Sequence, residues 1–98
     1  MTKRVRLSRR ARADLRSIGS YTIENWGAAK ADTYLGEINA TFARLASGRR
    51  RGTPVAEVAS ELMKTRAGSH VVFYRTSDDA ILVVRILHER MDPRRHLP

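Results

Sequence analysis

The sequence predicts an α+β fold in the order β-α-α-β-β-β, with a helical hairpin packed on a small, twisted, antiparallel-rich sheet. Three observations predict it. Two adjoining stretches carry apolar residues at helical spacing and are parted only by Gly27. Two runs near the C-terminus, Val71–Tyr74 and Ile81–Leu87, are apolar and rich in β-branched residues, with a polar turn between them. A short alternating segment precedes the helices. Strands that follow a helical pair, instead of alternating with helices, point to a segregated α+β arrangement.

Lys3-Arg4-Val5-Arg6-Leu7 alternates polar and apolar, the period of a strand with Val5 and Leu7 inward. Ser8 is placed to cap the helix that opens at Arg9. Ala11, Leu15, Ile18 and Thr22 recur at helical spacing and share one face. Gly19 weakens the interior of this helix. Gly27 ends it after Trp26, because glycine takes the positive φ of a helix C-cap. A second helix runs from Ala28 to about Ser47, with Ala31, Tyr34, Leu35, Ile38, Phe42 and Leu45 on its apolar face. So short a connection makes the two helices an antiparallel hairpin.

Gly48 to Pro54 reads as a loop from its Gly and Pro content. Val55 to Ser60 fits no single pattern. Glu61 to Arg66 reads as a strand, followed by a turn at Ala67-Gly68. The last hairpin pivots on Ser77-Asp78-Asp79. Ile81 to Leu87 is apolar on both faces, the mark of an interior strand.

The 98 residues make a single domain spanning 1–98. The absence of cysteine excludes disulfides and thiolate metal sites. No run approaches the roughly 18 apolar residues that cross a bilayer, and the basic start has no apolar segment behind it. A cytoplasmic protein is expected. Lys and Arg number 19 against 10 Asp and Glu, a formal net charge of +9, and 16 of the 19 are Arg. Guanidinium forks suit carboxylates and phosphates, so an acidic partner is expected, either nucleic acid or an acidic protein segment.

Little catalytic chemistry is visible. His70, His88 and His96 have no metal-ligand spacing. There is no phosphate-cradling Gly loop and no Ser or Cys nucleophile with an arranged base. No cofactor and no metal are expected. Arg85 falls on a strand face with Ile81, Val83 and Leu87, so it needs a partner, for which Glu89 and Asp92 are the nearest candidates. It reads equally as a structural ion pair or as a contact to a target. Trp26 reads first as a plug at the helix junction. Tyr21 and Tyr34 read as half-buried residues whose hydroxyls reach water.

Several blocks resemble the ParE toxins of bacterial type II toxin–antitoxin modules, within the RelE/ParE superfamily. They are Leu7-Ser8-Arg9-Arg10-Ala11, Tyr21-Thr22 with Trp26-Gly27, Gly68-Ser69-His70-Val71-Val72-Phe73-Tyr74-Arg75, and Arg85-Ile86-Leu87-His88-Glu89-Arg90-Met91-Asp92. Their order and spacing carry the resemblance over nearly the whole chain. It implies a toxin that binds and inhibits DNA gyrase and is neutralised by a ParD-like antitoxin. The pair would reach operator DNA only through the antitoxin.

The RelE-like branch of the superfamily cleaves ribosome-bound messenger RNA, which needs an acid, a base and cations on the phosphate. Ribonucleases of that kind have an Arg directly after the strand His and end in a His-Tyr pair. Here Val71 follows His70, and Glu89 and Arg90 fall where that pair would stand. The reading is therefore a binding protein and not an enzyme, with no catalytic residues. An RNA-cleaving toxin and a non-toxic basic nucleic-acid binder are the alternatives. The candidate target contacts are Arg85, His88, Arg90, Met91 and Asp92. The candidate antitoxin contacts are Tyr21, Trp26, Leu45, Leu62 and Met63.

Overall fold

In the computed structural model, which describes residues 2–55 and 61–97, the elements follow the expected order with one addition. They are β1 (Arg4–Leu7), α1 (Arg9–Trp26), α2 (Ala28–Ser47), β2 (Thr53–Pro54), β3 (Met63–Ala67), β4 (His70–Thr76) and β5 (Ala80–His88), then a 3₁₀ turn over Pro93–Arg95. The sheet order is β1-β5-β4-β3-β2. β1 runs parallel to β5, and the other pairings are antiparallel.

The addition is β2, in a segment that reads as a loop. Two residues are too few for a periodic signal, and proline argues against a central strand. At the sheet edge that objection lapses, because Pro54 pairs with Met63 on one side only. The third strand begins at Met63, later than the expected Glu61, and Glu61 itself has φ 66°. Of the ambiguous stretch, only Val55 lies within the described residues, and it is buried.

Ser8 does two jobs at the start of α1. Its hydroxyl accepts from the Ala11 amide at 3.0 Å and donates to the Val84 carbonyl at 2.6 Å. Gly19 is buried in α1 facing Leu35, where an added Cβ would lie 3.4 Å from that side chain. The glycine that costs helix propensity thus allows close approach of the two helices.

The core lies in two layers. Helix residues Ala11, Ile18, Ile38, Phe42 and Leu45 pack on Val72, Tyr74, Ile81, Val83 and Ile86 of the sheet. On the opposite face Val55 and Leu62 cover Phe73, Val84 and Leu87, joined by Val71 and Leu97. β5 therefore faces the helices with Ile81 and Val83 but then with Ile86. The change of parity comes from a bulge: Tyr74 pairs with Val83 and Phe73 with Arg85, which leaves Val84 as the extra residue. Arg85 is thereby turned away from the face it would share with Ile81 and Val83.

Candidate functional site

An open groove of about 710 Å³ lies between the helical hairpin and one end of the sheet. Its walls are Ile18, Tyr21, Thr22 and Trp26 of α1 and Lys30, Thr33, Tyr34 and Glu37 of α2. Its floor is Ser69, His70 and His88. Helical spacing produces the α1 wall, since 18, 22 and 26 rise along one face with Tyr21 beside them. Gly27, at φ 91°, closes α1 by donating its amide to the Ile23 carbonyl and lets α2 start at the next residue.

Trp26 does not plug the junction. It is 67% exposed, and Tyr21 is 63% exposed, not half-buried. Trp26 instead lines the groove. Tyr34 is half-buried as expected, and its hydroxyl is held by protein groups. It accepts from the Ser69 amide at 3.0 Å and lies 2.6 Å from His70 Nδ1. Gly68, at φ 62°, opens the two-residue turn that brings β4 under this ring. A Cβ there would stand 2.5 Å from the tyrosine ring.

His70 and His88 face each other across the β4–β5 ladder, with ring centroids 5.3 Å apart and the planes edge-on at 86°. Tyr34 meets His70 at 5.5 Å. Burial, and then the neighbouring His88, hold the His70 pKa below its ordinary value, while Asp14 and Glu89 pull weakly the other way. His88 Nδ1 accepts from the Arg90 amide at 3.2 Å, so its neutral ring carries its proton on Nε2. Two imidazoles and a phenol can exchange protons, but cleaving a phosphodiester also needs a free cation to hold the charge.

Arg85, the arginine within β5, is not free to supply that charge. Its Nε and Nη2 donate to the two Asp14 oxygens at 2.8 and 3.0 Å, and its Nη1 donates to the His96 carbonyl at 2.9 Å. The partner is Asp14 and not Glu89 or Asp92. Asp14 also accepts from the Ile86 amide, which lies beyond the last β1–β5 pair at Val83 and has no strand to bond. Its carboxylate finishes the sheet edge where β1 stops. Hydrogen bonding to Asp14 raises the Arg85 pKa above its ordinary value.

The candidate target contacts thus lie in different settings. Arg85 is in this ion pair, and His88 is on the groove floor. Arg90 and Met91 are exposed in the turn after β5, where the Met91 amide donates to the His88 carbonyl. Asp92 caps the 3₁₀ turn by accepting from the Arg94 amide, and Arg94 holds its pKa low. Glu89 pairs with Arg66 at 2.7 Å. Of the candidate antitoxin contacts, Tyr21 and Trp26 line the groove. Leu45 and Leu62 are 4% and 2% exposed, so they are core residues that offer no surface, and Met63 is half-buried against the same core.

Sequence reasoning missed Tyr34, Lys30 and Glu37 as groove residues, and Asp14 as the Arg85 partner. The first three fit ordinary helical patterning. The Asp14–Arg85 contact spans 71 residues, and no local pattern encodes it. Among the described residues no group of three or more His, Cys, Asp or Glu is placed to hold a metal ion.

Comparison with known proteins agrees with the fold. The family model described as "ParE toxin of type II toxin-antitoxin system, parDE" matches residues 5–93. Toxin ParE1 of Mycobacterium tuberculosis is 41% identical over 98 residues, covering 99% of this chain and all of that protein. Toxin ParE1 of Caulobacter vibrioides is 39% identical over 95 residues, covering 97% of this chain and 98% of that protein. A solved structure described as the chromosomal ParDE TA system from P. aeruginosa shares the fold with a TM-score of 0.75 at 19% identity, over 89% of this chain and 96% of that one. The chain belongs to the ParE toxin family of type II toxin–antitoxin systems.

Proposed function

We propose that this toxin acts by binding and not by catalysis, with DNA gyrase as its target and a ParD-like antitoxin as its inhibitor in the cytoplasm. The observation that carries the reading is the commitment of Arg85 to Asp14. The strand that holds His88 has no guanidinium to spare for a scissile phosphate. Val71, the residue after His70, packs in the outer hydrophobic layer with Leu87. What this end of the molecule offers instead is an apolar groove with two exposed aromatic residues, Tyr21 and Trp26.

Such a groove accepts the apolar face of an amphipathic helix, and Trp and Tyr are the side chains that most often dominate protein interfaces. An antitoxin segment with acidic flanks would be drawn to the net charge of +9. The exposed turn at Arg90, Met91 and Asp92, beside His88, is assigned to target contact. Repression of the module's own operator would then run through the DNA-binding part of the antitoxin.

The deciding experiment expresses the chain without an antitoxin and follows growth, the SOS response and transcript integrity, beside supercoiling by purified gyrase. Growth arrest with an SOS response, lost supercoiling and intact transcripts is the expected result. The His70, His88 and Tyr34 grouping is what a ribonuclease reading would rest on. Early transcript cleavage without DNA damage would establish that reading in place of this one.

A further inference from the structure

Among the described residues, cover on the outer face of the sheet is confined to one end. Val55, Leu62 and Leu97 lie over the half nearest His88. Toward the β4–β5 turn this face holds Leu82, which is 39% exposed, and no described residue is packed over it. In register there, Leu82 pairs with Arg6 of β1 on one side and Arg75 of β4 on the other. Arg4 lies two residues from Arg6 on the same face of β1. Arg12 of α1 reaches the same hollow around the β1 edge, together with Arg6, Arg75, Thr76 and Ser77.

Among the described residues no carboxylate lines this hollow. Among the described residues the ion pairs are Arg66–Glu89, Arg85–Asp14 and Arg94–Asp92, so Arg4, Arg6, Arg12 and Arg75 have none. The acids nearest Arg75 in sequence, Asp78 and Asp79, sit at the hairpin tip, where the Asp79 carboxylate accepts from the Ser77 hydroxyl at 3.3 Å; Asp14, two residues from Arg12, is held by Arg85. α1 also begins with Arg9, Arg10 and Arg12 and has no acidic residue in its first turn. Cations at the positive end of a helix are unfavourable, and an external anion relieves them.

We propose that this open half-face, with Arg4, Arg6, Arg12 and Arg75 around Leu82, docks the phosphate backbone of duplex DNA. The argument for a duplex over other acidic partners is geometric. Strand spacing sets Arg4 and Arg6 about 7 Å apart and places Arg6 about 10 Å from Arg75 across Leu82. The charges are spread over two dimensions, which matches the phosphate rows of a duplex better than the single line of carboxylates on an extended peptide. The hollow contains no aromatic side chain, so it lacks the stacking platform of a single-strand binder. The contacts are to backbone only, and the binding is insensitive to sequence.

This surface lies apart from the groove and is tested on the toxin alone, without gyrase or antitoxin. The measurement is fluorescence anisotropy of a labelled duplex of about 20 base pairs between about 50 and about 200 mM salt. Four phosphate contacts give a slope of log affinity against log salt near −3.6, at about −0.9 per contact. The Arg6→Ala/Arg75→Ala variant should lose at least about tenfold in affinity at low salt, and its slope should flatten by about 2. The charge-matched pair Arg44→Ala/Arg66→Ala, on α2 and β3, should keep the wild-type slope. Circular dichroism melting of each variant confirms that it is folded. An equal loss in both variants would overturn the proposal, since net charge alone would then explain binding. Binding of a poly-glutamate peptide through Arg6 and Arg75, with no duplex binding at low salt, would overturn it in favour of a carboxylate surface.

Discussion

At the scale of single residues, Tyr34 and His70 determine how the groove floor is held. The Tyr34 hydroxyl joins α2 to the Gly68-Ser69 turn and to His70. Tyr34→Phe leaves the Ser69 amide and His70 Nδ1 without this partner and should cost about 1–2 kcal/mol in urea unfolding. His70 supplies a pH dependence. Its folded pKa lies below the ordinary 6.5, because burial, and then His88, disfavour the charged ring. As pH falls from 6.5 toward the folded value, the unfolded chain binds the proton first, so stability drops through that window and is at its full value above it. Urea midpoints between about pH 7.5 and about pH 5 should fall for the wild type, with a shallower fall in His70→Gln, which has no proton to gain. A wild-type slope matched by the variant would mean that another group is responsible.

At the scale of elements, β5 organises the molecule, and Asp14 serves its exposed edge. Asp14 and Arg85 side chains are 14% and 13% exposed, and the same carboxylate holds the Ile86 amide. Asp14→Ala strands a guanidinium and an amide together, and should destabilise by roughly 3 kcal/mol, the low end for a buried pair because some solvent reaches both groups. Calorimetry or denaturant midpoints would show it, and a loss under about 1 kcal/mol would mean that water replaces the carboxylate. This is also where the sequence was least legible. Helical periodicity placed both helices, and Ser8 and Gly27 marked their boundaries, because those signals are local. The alternation rule failed at Arg85, because one bulged residue, Val84, reverses parity and leaves no mark in the composition. Trp26 was misread since a tryptophan beside a helix end fits a junction plug and an exposed groove wall equally well.

At the scale of the whole molecule, the aromatic groove and the Leu82 arginine cluster lie at different ends of the sheet. The groove with Tyr21 and Trp26 opens at the His88 end, and Arg6, Arg12 and Arg75 lie around Leu82 toward the β4–β5 turn. Binding at one end therefore leaves the other accessible. Trp26, 67% exposed, should be removable at little cost to the fold, with Trp26→Ala melting within about 0.5 kcal/mol of wild type. If the groove holds the antitoxin, the same variant should weaken that complex by about 2 kcal/mol, near thirtyfold, in titration calorimetry. Unchanged affinity with unchanged stability would place the antitoxin elsewhere.

The parallel pairing of β1 with β5 has a consequence in time. Ser8 bonds to Val84, 76 residues along the chain, and β1 has no other strand beside it. During synthesis the helical hairpin can form early, from local contacts, but β1 must wait for the last strand. Closing so long a loop costs roughly 4 kcal/mol of chain entropy beyond a fixed constant, recovered only when β5 arrives. A nascent chain stalled before Ala80 can form helical turns but has no completed sheet for them to pack on. The toxin fold becomes available only once β5 has cleared the ribosome, which gives an inhibitor made beforehand the first opportunity to meet it.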